Sequence, residues 1–365
     1  MIVAHLSDLH LGYRSYDRVE KGRNVRERDV EAAFEGALER IARLAPELVV
    51  VSGDIFDRPD PPSSAVVALA RGLEGLRTSL PDTPVVMVAG SSDTPLRAGG
   101  PGALAAFDTI PGVEAASDEV RTVRLLGGDL HVALVPHRAL LRSPFPDVQA
   151  EPRARWNVLV LRGRMTSARA TAAASGRKRS RSLTLDPSGW DYVAMGYEHA
   201  HGTVAPRIAY AGSLERIGPD PWGEAAEEKG FVAADLASGE VRFHAIPGRA
   251  VVELAGIRVR PGEPEHVSRR IEEVVRETPG GIDGKIVRMR IQGLPGGAPP
   301  RLDEALLEGL RARALHLSVR VDWPTHGPGV APPDQVRRHL PEDVDPDVAA
   351  DLVRLLGGEE AEVAV

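Results

Sequence analysis

Ile2-Val3-Ala4-His5-Leu6-Ser7-Asp8-Leu9-His10-Leu11-Gly12 is the stretch on which the fold turns. Its apolar start reads as a strand, and Asp8 and His10 follow at the strand's mouth. Two metal-binding side chains spaced in this way project toward the same face of a sheet edge. A second apolar run, Leu48–Ser52, leads into Gly53-Asp54-Ile55-Phe56-Asp57. Between the two, Phe34, Leu38, Ile41 and Leu44 recur at helical spacing, which predicts a crossover helix. The second carboxylate is therefore delivered from a neighbouring strand end, where it can bridge whatever Asp8 and His10 hold.

Outward from this unit the alternation continues. Val85–Ala89, Val132–Val135, Val158–Leu161 and Tyr192–Met195 read as further strands, and Ser63–Leu76 reads as a helix entered through the turn Asp60-Pro61-Pro62. Such alternation predicts a layered α/β domain with its site at the strand ends. Ile208–Tyr210, Gly230–Asp235 and Val241–Ile246 come without intervening helices and are expected to be antiparallel. A boundary is expected near Pro247-Gly248. Beyond it, strands at 251–259, 285–291 and 317–321 alternate with helices at 265–277 and 302–314. Two short amphipathic helices, Gln335–Leu340 and Asp347–Leu356, are expected in the tail.

The 365 residues suffice for one large core and a smaller domain, and 42% are hydrophobic, as in a globular chain. No apolar run is long enough to cross a bilayer and the first residues read straight into a strand, so no membrane span and no signal peptide are expected. The absence of cysteine excludes disulfides and thiolate-bound zinc and fits a cytoplasmic protein. A net charge of −7 argues against nucleic-acid binding by bulk charge, so any such contact needs a local basic patch. The best candidate ends in Arg177, Lys178, Arg179 and Arg181. It closes a stretch from Arg153 with nine basic residues and no acidic one, although a solvated loop explains the same composition.

Four motifs in order, each at a predicted strand end, resemble the calcineurin-like metallophosphoesterase superfamily. More narrowly they are similar to the SbcD-type nuclease subunits of DNA double-strand-break repair complexes, which pair with an SbcC-type coiled-coil ATPase. The motifs are His5–Tyr13, Gly53–Asp57, Asp191–Gly196 and Tyr210–Arg216. The resemblance implies an α/β fold: a calcineurin-like two-sheet sandwich flanked by helices over 1–248, then a small α+β capping domain over 249–327. A C-terminal tail, 328–365, would carry helices that either bind the ATPase or pack on their own domain. It also implies a homodimer, DNA as a partner, and a hydrolase, a Mn²⁺-dependent exonuclease or phosphodiesterase, in which two ions share a bridging carboxylate. Fe²⁺ or Mg²⁺ would suit similar ligands.

Carried over by motif, Asp8, His10 and His199 would bind the first metal and Asp54 would bridge. The second site departs from the family. Ser91 stands where an amide ligand is expected, Ser92 where the catalytic acid is expected, and Arg162 and Tyr197 where two imidazoles are expected. A guanidinium stays protonated and cannot ligate a cation. A single ion and a degenerate nuclease subunit with weak or absent activity are therefore expected. In that case Arg162 either neutralises the carboxylates or clamps a substrate phosphate. The competing expectation is an active single-metal phosphodiesterase. His199-Ala200-His201 leaves open a register in which His201 also serves as a ligand. His5 is expected to support the loop from beneath, and His131, His137 and His244 to be structural.

Overall fold

The structure, a computed structural model, describes residues 1–95, 102–142, 147–164, 187–259, 266–292 and 302–322. The chain divides into two compact units, Met1–Ala250 and Val251–Val365. In the first, β1 (Ile2–Leu6) is followed by a small hairpin, β2 (Val19–Glu20) and β3 (Arg23–Asn24), and by α1 (Val25–Leu44). Next come β4 (Leu48–Ser52), α2 (Ser63–Ser79), β5 (Val85–Val88), β6 (Val113–Ala116), β7 (Arg121–Leu125) and β8 (Leu130–Val135). A short helix α3 (His137–Leu140) precedes β9 (Trp156–Arg162), β10 (Tyr192–Gly196), β11 (Gly202–Ala205), β12 (Ile208–Tyr210), β13 (Gly230–Asp235) and β14 (Glu240–Ala245).

These strands form two six-stranded sheets, in the orders β14-β13-β1-β4-β5-β6 and β11-β12-β10-β9-β8-β7. In the first sheet β1, β4, β5 and β6 run parallel, with β13 antiparallel to β1. Val3, Leu48, Val50, Val86 and Val88 face Val132, Leu134, Val158, Val160 and Ala194 in the layer between the sheets. Their alternates, Ala4, Leu6, Val49 and Val51, pack under Phe34, Leu38 and Ile41 of α1 and Leu69 and Leu73 of α2. Burial on both faces is why β1 and β4 read as continuous apolar runs and not as alternating ones. Helix α1 starts where Asn24 accepts the backbone N–H groups of Arg26 (3.0 Å) and Glu27 (3.4 Å). It ends at Ala45, which takes a left-handed conformation (φ 48°) before Pro46.

One expected pairing is corrected. Ile208–Tyr210 (β12) runs parallel to β10, because β11 makes the return pass outside it as an antiparallel edge strand. β13 and β14 are antiparallel, as their lack of a crossover helix predicts.

In the second unit β15 (Val251–Glu253), β16 (Ile257–Arg258), α4 (His266–Glu277), β17 (Ile286–Gln292), α5 (Glu304–Arg313) and β18 (His316–Asp322) alternate. β17 pairs in parallel with β15 and β16 and with β18. Val287, Met289 and Ile291 meet Ile271, Val274, Leu307 and Leu310 in its core. The expected tail helices lie outside the described residues. Among the described residues no helix is long and apolar enough to cross a membrane.

Candidate metal centre

β1 and β4 end side by side, and the loops that leave them are laced together. Asp8 N–H donates to Gly53 O (3.0 Å), His10 N–H to Asp54 O (3.0 Å) and Leu11 N–H to Ile55 O (2.9 Å), while Asp57 N–H returns to Leu11 O (3.1 Å). This lacing holds Asp8, His10 and Asp54 at φ of 48°, 48° and 44°, a left-handed conformation that non-glycine residues adopt at a cost. From below, His5 is buried between the sheets. Its Nδ1 lies 2.8 Å from Tyr192 Oη and its Nε2 2.7 Å from Ser52 Oγ, just before Gly53-Asp54. Ser52 Oγ in turn donates to Leu6 O (3.5 Å), so a neutral His5 protonated on Nε2 satisfies every group in the chain. Burial, and secondarily the charge of His201, pushes its pKa down to about 3.

Asp8, His10 and His199 each offer one ligand atom, and the three atoms lie within 4.8 Å of one another. Asp8 Oδ2 accepts the N–H of Tyr197 at 3.1 Å, which leaves Oδ1 buried and without a hydrogen bond. His10 Nδ1 is 3.0 Å from Asp57 Oδ1, which leaves its Nε2 likewise buried and without a hydrogen bond. Buried polar atoms are rarely left unsatisfied, and a carboxylate oxygen and an imidazole nitrogen orphaned at one place fit a divalent cation. Burial and the neighbouring Asp54 raise the Asp8 pKa against the pull of Arg162, His199 and His10. Burial disfavours the charged form of His10, but the Asp57 hydrogen bond and the charges of Asp54, Asp8 and Asp57 outweigh it and raise its pKa.

Asp54 stands beside this triplet, its Oδ2 3.7 Å from His10 Nε2, but both of its oxygens are engaged. Oδ1 accepts the N–H of Ser92 at 2.8 Å, and Oδ2 takes a short hydrogen bond from Arg162 Nη2. The same Nη2 lies 4.0 Å from Asp8 Oδ1, and the guanidinium carbon sits over the Tyr197 ring, 4.9 Å from its centroid. A fixed cation, carried at the end of β9, thus occupies the flank of the site that Ser91, Ser92 and Tyr197 border. These residues do not fit a second divalent ion: they bring no imidazole or carboxylate of their own, and the Asp54 oxygen it would need is bound. The close approach of Asp54 to the Ser91-Ser92 loop depends on Gly90, where a Cβ would overlap Asp54 Oδ1 and its backbone nitrogen. Asp93 fastens the same loop by accepting N–H groups from Gly90 (2.8 Å), Phe56 (2.7 Å) and Ile55 (3.1 Å).

His201 turns elsewhere. Its Nδ1 lies 3.1 Å from Tyr210 O and its ring stacks on Phe243, with centroids 4.5 Å apart. His131 meets Asn157 Oδ1 at 3.0 Å, and His244 stacks on Phe231. His137 opens α3 with its N–H donating to Ala89 O at 2.9 Å, and its pKa is lowered by burial and then by the charge of Arg162. Arg177, Lys178, Arg179 and Arg181 lie outside the described residues. Two carboxylates next to the triplet, Asp57 and Glu224, fall outside the residues that sequence reasoning singles out. Asp57 was visible as the last residue of the second motif, whereas Glu224, near His199, had no local signal at all.

Residues 1–201 match the calcineurin-like phosphoesterase family. Among curated proteins, a DNA double-strand break repair protein Mre11 of Methanococcus maripaludis is 34% identical over 95 residues, 26% of this chain and 24% of that protein. The protein of the same description from Methanocaldococcus jannaschii is 31% identical over 99 residues, 27% of this chain and 25% of its own length. That from Thermoplasma acidophilum is 26% identical over 258 residues, 68% of this chain and 65% of its length. The matches thus span about a quarter of the first two relatives and just under two thirds of the third. The family match takes in more than half of the chain and every residue of the triplet, from the Asp8 loop to His199. With two sheets that bring carboxylate and imidazole donors to their strand ends, this chain is a member of the calcineurin-like phosphoesterase family.

Proposed function

We propose that this chain is a DNA-repair phosphoesterase of the SbcD and Mre11 type whose second metal position has been given over to an arginine. Its nuclease activity is weak or absent. The observation that carries this reading is the Arg162 guanidinium, hydrogen-bonded to Asp54, within 4.0 Å of Asp8 and lodged over Tyr197. Asp8, His10 and His199 would hold one divalent ion, Mn²⁺ by analogy with the family. Bound there, it would supply Lewis-acid charge to a phosphodiester oxygen. Asp54, held by Arg162 and Ser92 N–H, does not act as a free bridging ligand. Two-metal phosphoryl transfer neutralises charge at both the attacking and the leaving oxygen, and Ser92 offers no proton near neutral pH. The loss of both should slow turnover by orders of magnitude.

The relatives' description, DNA double-strand break repair, supports DNA as the ligand, and a coiled-coil ATPase of the SbcC type is the partner this reading carries over from the motif resemblance. A homodimer and a cytoplasmic location belong to the same reading. The test is direct: purified full-length chain with Mn²⁺ is assayed on single- and double-stranded DNA. Turnover at the level of a two-metal family member, abolished by Asp8→Ala, refutes the proposal.

One observation favours a second reading, an active single-metal phosphodiesterase. Arg162 Nε is buried and makes no hydrogen bond, so the guanidinium keeps a donor that a substrate phosphate could use. Slow Mn²⁺-dependent cleavage lost in both Asp8→Ala and Arg162→Met would select it.

A further inference from the structure

Both imidazoles of the triplet have a carboxylate behind Nδ1. For His10 it is Asp57, at 3.0 Å. For His199 it is Glu224, whose Oε1 lies 4.0 Å from Nδ1. Glu224 comes from the irregular segment between β12 and β13, and several groups fix it there. Lys229, only 2% exposed, places its ammonium 2.7 Å from Glu224 Oε2 and donates to the backbone carbonyl of His199 at 3.0 Å. Arg216, from the fourth sequence motif, donates from Nε to the carbonyl of Glu224 at 3.1 Å and from Nη2 to that of Glu227 at 2.7 Å. The Ser213 N–H donates to the same His199 carbonyl at 3.0 Å. One lysine therefore grips both the backbone of the ligand residue and the carboxylate facing its ring.

A buried lysine is costly unless paired, and one placed near a cation site would repel the ion. Glu224 and Glu227, 2.7 and 2.9 Å from the ammonium, together cancel that charge. The Glu224 carboxylate is held in that ion pair, with Oε2 toward Lys229 and Oε1 toward the imidazole.

We propose that Glu224, held by Lys229, is a positioning residue that takes the Nδ1–H of His199, fixes the tautomer and leaves the Nε2 lone pair for the cation. The inference rests on the single-cation reading of Asp8, His10 and His199 above. At 4.0 Å the Glu224–His199 pair is an electrostatic contact longer than a hydrogen bond, and such contacts commonly tighten when a site is loaded. Carboxylates in this relation to a ligating histidine typically contribute 10–100-fold to metal affinity.

The test is calorimetric titration of the full-length chain with MnCl₂ alone, together with ¹⁵N-histidine NMR of the metal-free protein. Glu224→Gln, which keeps the shape and removes the charge, should weaken Mn²⁺ binding about 10–100-fold. Glu224→Asp should retain more affinity than Glu224→Gln. In the metal-free wild type, the His199 signals, assigned by their loss in His199→Asn, should report the Nδ1–H tautomer and should shift toward a mixture in Glu224→Gln. The NMR arm needs no metal, so it judges the inference even if the wild type takes up no ion, a result that would sink the single-cation reading. Two ions per wild-type chain, with the tighter one still weakened by Glu224→Gln, would sink that reading but support this one. One ion bound equally well by wild type and Glu224→Gln, with the tautomer unchanged, overturns the role of Glu224 alone.

Discussion

Replacing Arg162 by methionine tests whether its guanidinium neutralises the buried carboxylates. The substitution keeps an unbranched apolar stem of similar reach but removes the only cationic side chain ion-paired with Asp54 among the described residues apart from a protonated His10. Asp54 is 1% exposed and Arg162 6%, so the pair belongs to the buried regime, where removing one partner strands the other. The cost in that regime is about 3–5 kcal/mol, against well under 1 for a surface pair. In a unit of this size each kcal/mol moves the melting temperature by roughly 2–4 °C, which predicts a fall on the order of 10 °C.

The penalty comes from an uncompensated carboxylate, so it should be removable from the other side. Arg162→Met combined with Asp54→Asn should recover most of the loss, and the coupling energy from the double-mutant cycle should be large and of rescuing sign. Asp54→Asn alone should also destabilise, since it leaves the guanidinium buried with only Asp8 nearby. Saturating Mn²⁺ should stabilise Arg162→Met more than wild type, by about 2.7 kcal/mol at a hundredfold excess over Kd, if the vacated flank can then accept positive charge. Urea titrations and thermal melts with and without Mn²⁺ read all of these. If Arg162→Met melts with the wild type, or the double variant is no better than the single one, Arg162 is not neutralising the carboxylates.

Three further outcomes are expected. His5 is buried and its pKa in the folded chain, about 3, lies below the unfolded value of 6.5, so the unfolded chain binds the proton first; its contribution is complete above pH 6.5 and is lost as pH falls toward 3. The full loss is about 5 kcal/mol, and His5→Gln should flatten the stability–pH slope between pH 6.5 and 4; an unaltered slope would assign acid sensitivity elsewhere. Gly90→Ala should cost about 1–3 kcal/mol through overpacking against Asp54 and should perturb Mn²⁺ uptake, and normal urea stability with normal uptake would contradict the close approach drawn above. Asn24→Ala should cost about 1 kcal/mol by removing the cap of α1 while leaving Mn²⁺ stoichiometry untouched, a control for stability changes remote from the site.

Much of the scaffold was legible because its signals are local. Leu48–Ser52 is a strand with the very bounds its apolar run suggested, and Phe34, Leu38 and Ile41 do face the sheet. The edge strands were not legible. β7 alternates exposed Arg and Thr residues with half-buried ones, and β11 is a short, largely polar-facing segment, so neither carries the run that marks a central strand. Missing β11 reversed the expected direction of β12. In the site, Arg162 could be read as a departure because it occupies a fixed place at the end of a strand. The left-handed backbone at Asp8, His10 and Asp54 could not be read, since it is imposed by hydrogen bonds between two loops more than forty residues apart in sequence. Glu224 was invisible for a similar reason: an irregular chain brings it to His199, with no periodicity to announce it.

The proposed single-cation occupancy has an electrostatic rationale in the charges of the centre. Asp8 and Asp54 supply two negative charges, and the ligating imidazoles supply none when neutral. One divalent ion on Asp8, His10 and His199, together with Arg162 on Asp54, already exceeds that supply by one. A second divalent ion competing for Asp54 Oδ2 would lie within about 5 Å of whatever position the guanidinium kept, and at an effective dielectric of about 20 their repulsion is about 7 kcal/mol. Ser91, Ser92 and Tyr197 offer no anionic or imidazole donor to offset it. The excess positive charge that remains with a single ion is, by contrast, what a phosphodiester would neutralise on arrival. On the proposed reading such a site would be better matched to holding a phosphodiester backbone than to cleaving it, and DNA binding is expected to survive in this chain under conditions where hydrolysis is undetectable.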